Sequence, residues 1–415
     1  MPVDQIIELT LTTLTYGGDA LGRITSESGS RAVFVPFALP GEKIRARIVE
    51  EKKGFVRAEL VEVLDPSPQR IAPRCMHFTS CGGCHYQHMT YAAQLSAKEA
   101  ILRDQLTRIG KIESPPVKPI VASPIEWNYS NHVLFHLSDE GKPGYVGAWG
   151  GIVPISECHL PEPAINVLWP QLDFEPGTPV ERVAIRRGED DDLLLALESE
   201  EASPPEVEIE ADISVVHLNG DDVVVMAGDG HLVVTVSGRR FKVSAGSFFQ
   251  ANTLVAEKMV AHLLERLPLS QLTTLIDVDC GVGLFSAFLA SRVGRLIGIE
   301  SSPSACEDFA FNLDEFDHVE LYEAPAADVL PHLDAQPEVV LAAPNRTGLD
   351  RHALDAIVTM KPQTIAYVSC DPSTLARDAS RLISSGYKLT EVTPFDLFPQ
   401  TYHIESISNF EKTRE

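Results

Sequence analysis

The chain has 415 residues, more than one ordinary domain of ~100–200 residues holds, so two or three domains are expected. Hydrophobic residues make up 44% and charged residues 22%, a globular balance that excludes a disordered chain, and no apolar run approaches a membrane span. A net charge of −25 excludes a protein that wraps nucleic acid in a uniformly positive surface.

Residues 5–65 read as about five short strands. Ile6–Thr12 alternates at the strand period, a Gly-Gly-Asp turn follows at 17–19, and Ala32–Val35 continues the pattern. In Lys43–Val49 the apolar Ile44, Ala46 and Ile48 alternate with charge, and Val56–Val63 supplies the last strand. This is the pattern of a small barrel of oligonucleotide-binding type, closed off by Pro66-Ser67-Pro68.

Three of the seven cysteines crowd into the next segment, as Cys75-x5-Cys81-x2-Cys84. An odd cysteine count with no secretory signal does not read as a disulfide framework, and a cytoplasmic protein is expected. With Cys158 downstream there are four thiols, which suit a tetrahedral zinc or a [4Fe–4S] cluster; the spacing differs from paired CxxC ribbons and favours the cluster.

A helix is expected over Thr90–Leu106, then short β runs to about 240, interrupted by the acidic loop Glu198–Glu210. From about 250 helices and strands alternate, as in a doubly wound α/β domain that ends on an antiparallel hairpin. There Asp277-Val278-Asp279-Cys280-Gly281-Val282-Gly283 lies where a buried strand gives way to a helix, and Glu300 ends the next strand, placed to bind ribose hydroxyls. Phe285 and Ser286 replace the rest of a GxGxxG repeat, which favours S-adenosylmethionine over a dinucleotide. Further on, Ser369-Cys370-Asp371-Pro372 puts a thiol at the carboxyl end of a strand, where open α/β sheets bind ligands, and Glu405 offers a carboxylate base.

Read together, these motifs resemble the adenosylmethionine-dependent RNA uracil-C5 methyltransferases, in the 23S ribosomal-RNA branch with an N-terminal TRAM domain and an iron–sulfur cluster. Gly22-Arg23, Phe34-Val35-Pro36 and Leu39–Glu42 match TRAM; Phe248-Phe249-Gln250-Ala251-Asn252 resembles the family's F-x-Q-x-N segment; Ser369–Asp378 resembles the nucleophile motif and His403-x-Glu405-Ser406 the base motif. The resemblance implies an OB-like TRAM barrel over 1–68, a central α+β iron–sulfur region over 69–240, and a Rossmann-like class I methyltransferase domain over 241–415.

It further implies Cys370 as nucleophile and Glu405 as base, with Phe248, Gln250 and Arg346 at the target base. Gln250, Asn252, Asp277, Gly281, Gly283, Phe285, Glu300 and Pro344 would meet the cofactor, and Cys75, Cys81, Cys84 and Cys158 would hold the cluster. The substrate is expected to be ribosomal RNA, with transfer RNA or a catalytically impaired RNA-binding paralogue as alternatives. The protein should act as a monomer away from membranes.

Two departures stand out. The family's D-P-P-R segment is here Ala343-Pro344-Asn345-Arg346, and Gly144–Gly151 lacks the usual basic residues. Residues 1–165 carry 16 basic and 18 acidic side chains, so an RNA surface belongs there; weak binding, steeply sensitive to salt, is expected.

Overall fold

The structure is a computed structural model that describes residues 4–26, 29–208 and 210–413. Strands β1 (Ile6–Leu14), β2 (Ala20–Ser26), β3 (Gly29–Val35), β4 (Lys43–Glu51) and β5 (Phe55–Asp65) close a barrel in the order β1-β2-β3-β5-β4. Alternation drives the closure: Ile7, Leu9 and Leu11 of β1 and Ile44, Ala46 and Ile48 of β4 face inward and are buried. Helix α1 (Tyr91–Arg108) follows the cysteine segment, two residues longer at its end than expected.

A central sheet of seven strands comprises β6 (His132–Leu137), β7 (Pro143–Val146), β8 (Ile152–Pro154), β9 (Arg182–Arg187), β10 (Leu193–Glu198), β11 (Ser214–Asn219) and β12 (Asp222–Ala227). Its order is β12-β11-β10-β9-β6-β7-β8, and the short helix α2 (Pro163–Leu168) packs Ile165 and Leu168 onto one face. Strands β10 and β11 run parallel, and residues 199–208 between them form neither helix nor strand, as their charge and prolines predict.

The hairpin β13 (His231–Val236) and β14 (Arg239–Ser244) precedes helix α3 (Thr253–Arg266). The last layer contains β15 (Thr274–Val278), α4 (Leu284–Leu289), β16 (Arg295–Glu300), α5 (Pro303–Asn312), β17 (Val319–Glu323) and α6 (Ala326–Val329). It continues through β18 (Val339–Ala342), α7 (Arg351–Met360), β19 (Thr364–Ser369), α8 (Pro372–Ser384), β20 (Tyr387–Phe395) and β21 (Glu405–Lys412). The sheet order is β17-β16-β15-β18-β19-β21-β20, parallel except for β21, which runs against both β19 and β20. The strand order reverses between β15 and β18, and crevices at such points take ligands.

The division at 240/241 falls inside the β13–β14 hairpin. Val234, Val236, Phe241 and Val243 share one core with Val255, Met259 and Leu275, while Leu232 packs with Ala184, Leu194 and Val216 of the central sheet, so the hairpin bridges the two layers. Helix α1 also crosses a boundary: Ile101, Leu102 and Leu106 belong to a core that contains barrel residues and Leu375 and Ala379 of α8. Apolar contact of this extent makes α1 the joint between barrel and C-terminal sheet.

Candidate active site

The antiparallel ladder between β19 and β21 pairs Ser369 with Ser406, so the next step outward sets Cys370 against Glu405. Two residues 35 positions apart in sequence thus meet at the carboxyl edge of the sheet. Cys370 sits in a turn held by Ser369, whose hydroxyl donates to the Asp371 carbonyl at 2.9 Å. Asp371 then caps α8, accepting from the Ser373 and Thr374 amides at 2.8 and 3.0 Å, and Pro372 fits the first helical turn.

Glu405 is 7% exposed, and burial lifts its carboxyl to about 8 against the opposing pull of Arg346 and Lys98. Burial, with the Glu405 charge beside it, pushes the Cys370 thiol up to about 12, and Arg346 again acts in the other direction. Arg346 is exposed, yet its charge reaches Cys370, Glu405 and His403. Its loop is fastened from α8: Asp378 accepts from the Leu349 amide at 3.0 Å and the Tyr367 hydroxyl at 2.7 Å, and Arg377 donates to the Thr347 carbonyl at 3.0 Å. Pro344, one residue beyond Ala343 in the same loop, is buried.

The second half of the site lies where β15 turns into α4. Gly281 has φ +55 and an added Cβ there would meet only open space, whereas a Cβ on Gly283 (φ +85) would strike Leu313 and Phe309 at 2.5 and 2.9 Å. One glycine leaves room for a ligand and the other permits packing. The Glu300 carboxylate accepts from the amides of Gly281, Ser301 and Ser302 at 2.8, 2.7 and 2.8 Å. Three of its roughly four lone-pair positions are thereby used, and about one is left for a hydroxyl.

Asp277 accepts from the Ser286 hydroxyl at 2.6 Å through one oxygen, and its other oxygen is buried with no hydrogen bond. Burial raises Asp277 to about 7 and Asp279 to about 6, with neighbouring carboxylates adding to both. Phe285 is buried in the core below. Asp279 holds a left-handed φ of +57 and stands beside Ala343, whose amide donates to the Val278 carbonyl at 3.0 Å. The carboxylate that the segment 343–346 lacks is thus present on the adjacent strand end.

The F-x-Q-x-N segment divides. Phe248 is 71% exposed and Phe249 is buried against Phe241. Asn252 is 1% exposed and fully engaged: its amide donates to Ser123 Oγ at 3.1 Å and the Leu397 carbonyl at 3.2 Å, and its oxygen caps α3. Direct cofactor contact was expected of Asn252, but the side chain instead ties three segments together. Gln250 has its carbonyl held by the Asn131 side chain at 3.0 Å. Asn131 and Lys98 were both missed as site supports; the Asn252 cap was readable, because asparagine before a helix is a start signal.

The thiols Cys75, Cys81, Cys84 and Cys158 line one cavity of about 80 Å³. Gly82 makes the loop possible: its amide donates to the Val146 carbonyl at 3.1 Å, and a Cβ would lie 2.2 Å from that oxygen. Among the described residues, however, no group of three or more His, Cys, Asp or Glu side chains is disposed to hold a metal ion.

A seven-stranded sheet in this order, with a glycine turn after its first strand and an acid after its second, defines a class I methyltransferase fold joined to a small β-barrel. Comparison with known proteins narrows the class. Residues 3–61 match the TRAM domain family and residues 332–413 match the tRNA (uracil-5-)-methyltransferase family. An uncharacterized RNA methyltransferase of Thermosynechococcus vestitus is 32% identical over 441 residues, spanning 97% of each chain. One from Halalkalibacterium halodurans is 31% identical over 451 residues, spanning 98% of this chain and 97% of that one. The crystal structure of Pyrococcus abyssi tRNA (uracil-54, C5)-methyltransferase with S-adenosyl-L-homocysteine matches with a TM-score of 0.74 at 23% identity, covering 97% of this chain and 100% of that chain. The chain belongs to the RNA (uracil-5-)-methyltransferase family, a group of enzymes dependent on S-adenosylmethionine. No helix among the described residues is long and apolar enough to cross a membrane.

Proposed function

We propose that the protein methylates C5 of a uridine in ribosomal RNA through a covalent cysteine adduct. The observation that carries this reading is the approach of Cys370 to Glu405 at the carboxyl edge of the sheet. C5 of uracil is a poor nucleophile. Addition of the Cys370 thiolate to C6 pushes the ring electrons toward C5 as an enolate, which can then take an electrophile. When bound, S-adenosylmethionine supplies that electrophile as a methyl group on a sulfonium. Glu405 takes the C5 proton, the C5–C6 double bond re-forms, and the C6–S bond breaks to release Cys370. The uridine must leave its stack to reach the site, at a cost of roughly a few kcal/mol. Phe248 serves as a stacking partner, and Gln250 and Arg346 address the base.

For the cofactor, Gly281 gives the approach, Glu300 takes a ribose hydroxyl, and Pro344, Gly283 and Phe285 shape the wall. Asp277 and Asp279 make a negative basin suited to the sulfonium and ammonium charges. Asp279→Asn should weaken S-adenosylmethionine about five- to tenfold and S-adenosylhomocysteine, which lacks the sulfonium charge, by less than twofold; calorimetry on both ligands checks it. Equal losses would place Asp279 on the ammonium, which both ligands carry, and not on the sulfonium.

We assign the four thiols of the 80 Å³ cavity to a [4Fe–4S] cluster. A cubane offers each thiolate its own iron, so the sulfurs need only line a cavity and not converge on one point. The cluster would fasten the loop at 75–84 to the segment around Cys158. Anaerobically purified protein should contain iron and sulfide in equal amounts. Cys84→Ser should lose both and melt at a lower temperature, whereas zinc in their place would sink the assignment.

Ribosomal RNA is preferred because the barrel and the four-cysteine segment together resemble the ribosomal branch. Transfer RNA is the second reading, favoured by the likeness to the Pyrococcus abyssi tRNA (uracil-54, C5)-methyltransferase. Labelled S-adenosylmethionine, unmodified ribosomal or transfer RNA and nucleoside analysis separate the two. Label in 5-methyluridine of ribosomal RNA is expected; label only in transfer RNA reverses the choice, and none in either means an impaired paralogue.

A further inference from the structure

A second cavity, of about 240 Å³, opens between the barrel and the turn at 147–151. Tyr16, Phe34, Phe37, His85 and Trp149 line it, together with Arg57 and Asp19. The volume is below the roughly 300–1,000 Å³ of drug-sized ligand sites and is scaled to one planar group. Trp149 is 55% exposed at the rim, carried on a turn closed by Gly147 and Gly151, whose amide and carbonyl meet at 2.8 Å. Phe34 is braced edge-on by Phe55, with ring centroids 5.6 Å apart.

This cavity adjoins the nucleophile. Burial, with the charge of Asp371, the residue after Cys370, holds the Tyr16 hydroxyl well above its ordinary range. Tyr16 also packs edge-on against Tyr402 at 5.5 Å, and Tyr402 lies 4.4 Å from His403, two residues before Glu405. His85 joins the same row at 4.5 Å from Tyr402. An aromatic row therefore leads from the cavity to the catalytic pair.

Several cations of the barrel are already engaged. Arg45 is paired with Glu8 and Glu62 at 3.2 and 2.7 Å, Arg47 with Glu59 at 2.7 Å, and Arg31 with Glu51. Cations so engaged are poorly placed to neutralise phosphates. Unstacked RNA bases are held instead on aromatic faces and guanidinium planes, with hydrogen bonds to their edges.

We propose that this cavity is a subsite for one splayed base of single-stranded RNA flanking the target uridine. Trp149 and Phe34 provide stacking faces, Arg57 a guanidinium plane, and Asp19 the acceptor for a ring N–H or amino group. Trp149 thus takes over work that basic residues around 144–151 would otherwise do. The proposal rests on the RNA-methylating reading and adds that RNA is gripped here by stacking more than by charge.

The test is binding of fluorescent ten-nucleotide oligouridylate and oligoadenylate to the full chain at two salt concentrations. Trp149→Ala should weaken the better-bound oligomer about tenfold at both salts, within the range expected for losing one stacked base. Trp149→Phe should stay within about threefold of the parent, and the slope of affinity against salt should not change, since no phosphate contact is removed. Binding by Trp149→Ala within twofold of the parent overturns the subsite, as does a Trp149→Phe variant as weak as Trp149→Ala. If these binding losses appear but the parent methylates no RNA, the subsite stands and the proposed reaction fails. If the parent methylates RNA and Trp149→Ala binds normally, the reverse holds.

Discussion

Cys370→Ala should lower methyl transfer by about 10⁴-fold or more, because the nucleophile that activates C6 of the base is removed. Glu405→Gln should act at a later point. With Cys370 intact the base is still attacked and methylated, but proton removal is lost at a cost of about 10²–10⁴-fold, and the adduct accumulates. A protein–RNA band that survives denaturation and carries the labelled methyl group is the expected signature. An active Cys370→Ala enzyme would overturn the mechanism.

The pH dependence follows from the same pair. Glu405 ionises at about 8, so below that pH the base is largely protonated and idle. The rate of adduct breakdown, the step in which Glu405 removes the C5 proton, should therefore rise with pH through about 8. Stability runs the opposite way: a carboxyl raised on folding is best tolerated while protonated, so its favourable contribution is present at acid pH and lost as pH rises through about 8. Glu405→Gln should accordingly raise the melting temperature at pH 8.5 and leave it nearly unchanged at pH 4.

Local patterning made the barrel and the doubly wound domain legible. Ile44, Ala46 and Ile48 alternate in the sequence as they do in the structure. The turn at 277–283 and the strand ending at Ser369 are local too, and they carried the cofactor and nucleophile readings. The two-sided role of the hairpin 231–244 was hidden for a physical reason: Leu232, Val234 and Val236 alternate as one face, yet Leu232 enters the central-sheet core and the two valines the C-terminal one. Asp279 and Ala343 became neighbours only through the parallel pairing of β15 and β18, which no spacing reveals. No periodicity or spacing marks Tyr129 and Asn131 as supports of the site. In fact Tyr129 donates to the Pro399 carbonyl at 3.0 Å and Asn131 holds the segment at 250–253, so the two residues fix both sides of the site.

Lys98 was hardest to see, because a lysine in a helix is usually a solvated side chain. Here it has no exposure, and its ammonium donates to Asp396 at 2.5 Å and to the Phe398 carbonyl at 2.9 Å. Asp396 follows Phe395, which pairs with Glu405 across β20 and β21, so the ion pair braces the base from behind. Gln94, one turn earlier, reinforces the same loop by exchanging hydrogen bonds of 2.9 Å with Gln400. Lys98→Met should destabilise the protein by about 3–5 kcal/mol, since Asp396 is left charged and buried, with one oxygen already lacking a hydrogen bond. Lys98→Met with Asp396→Leu should recover most of that loss, because both charges are then gone. The catalytic effect should not recover. Lys98 favours the ionised form of Glu405, so either variant should move the half-maximal rate of adduct breakdown to a pH above the parent's value near 8. Melting curves and pH–rate profiles on the two variants separate the roles: restored stability with an unshifted profile would make Lys98 a structural brace alone, whereas restored stability with the profile still displaced makes it the residue that tunes the base.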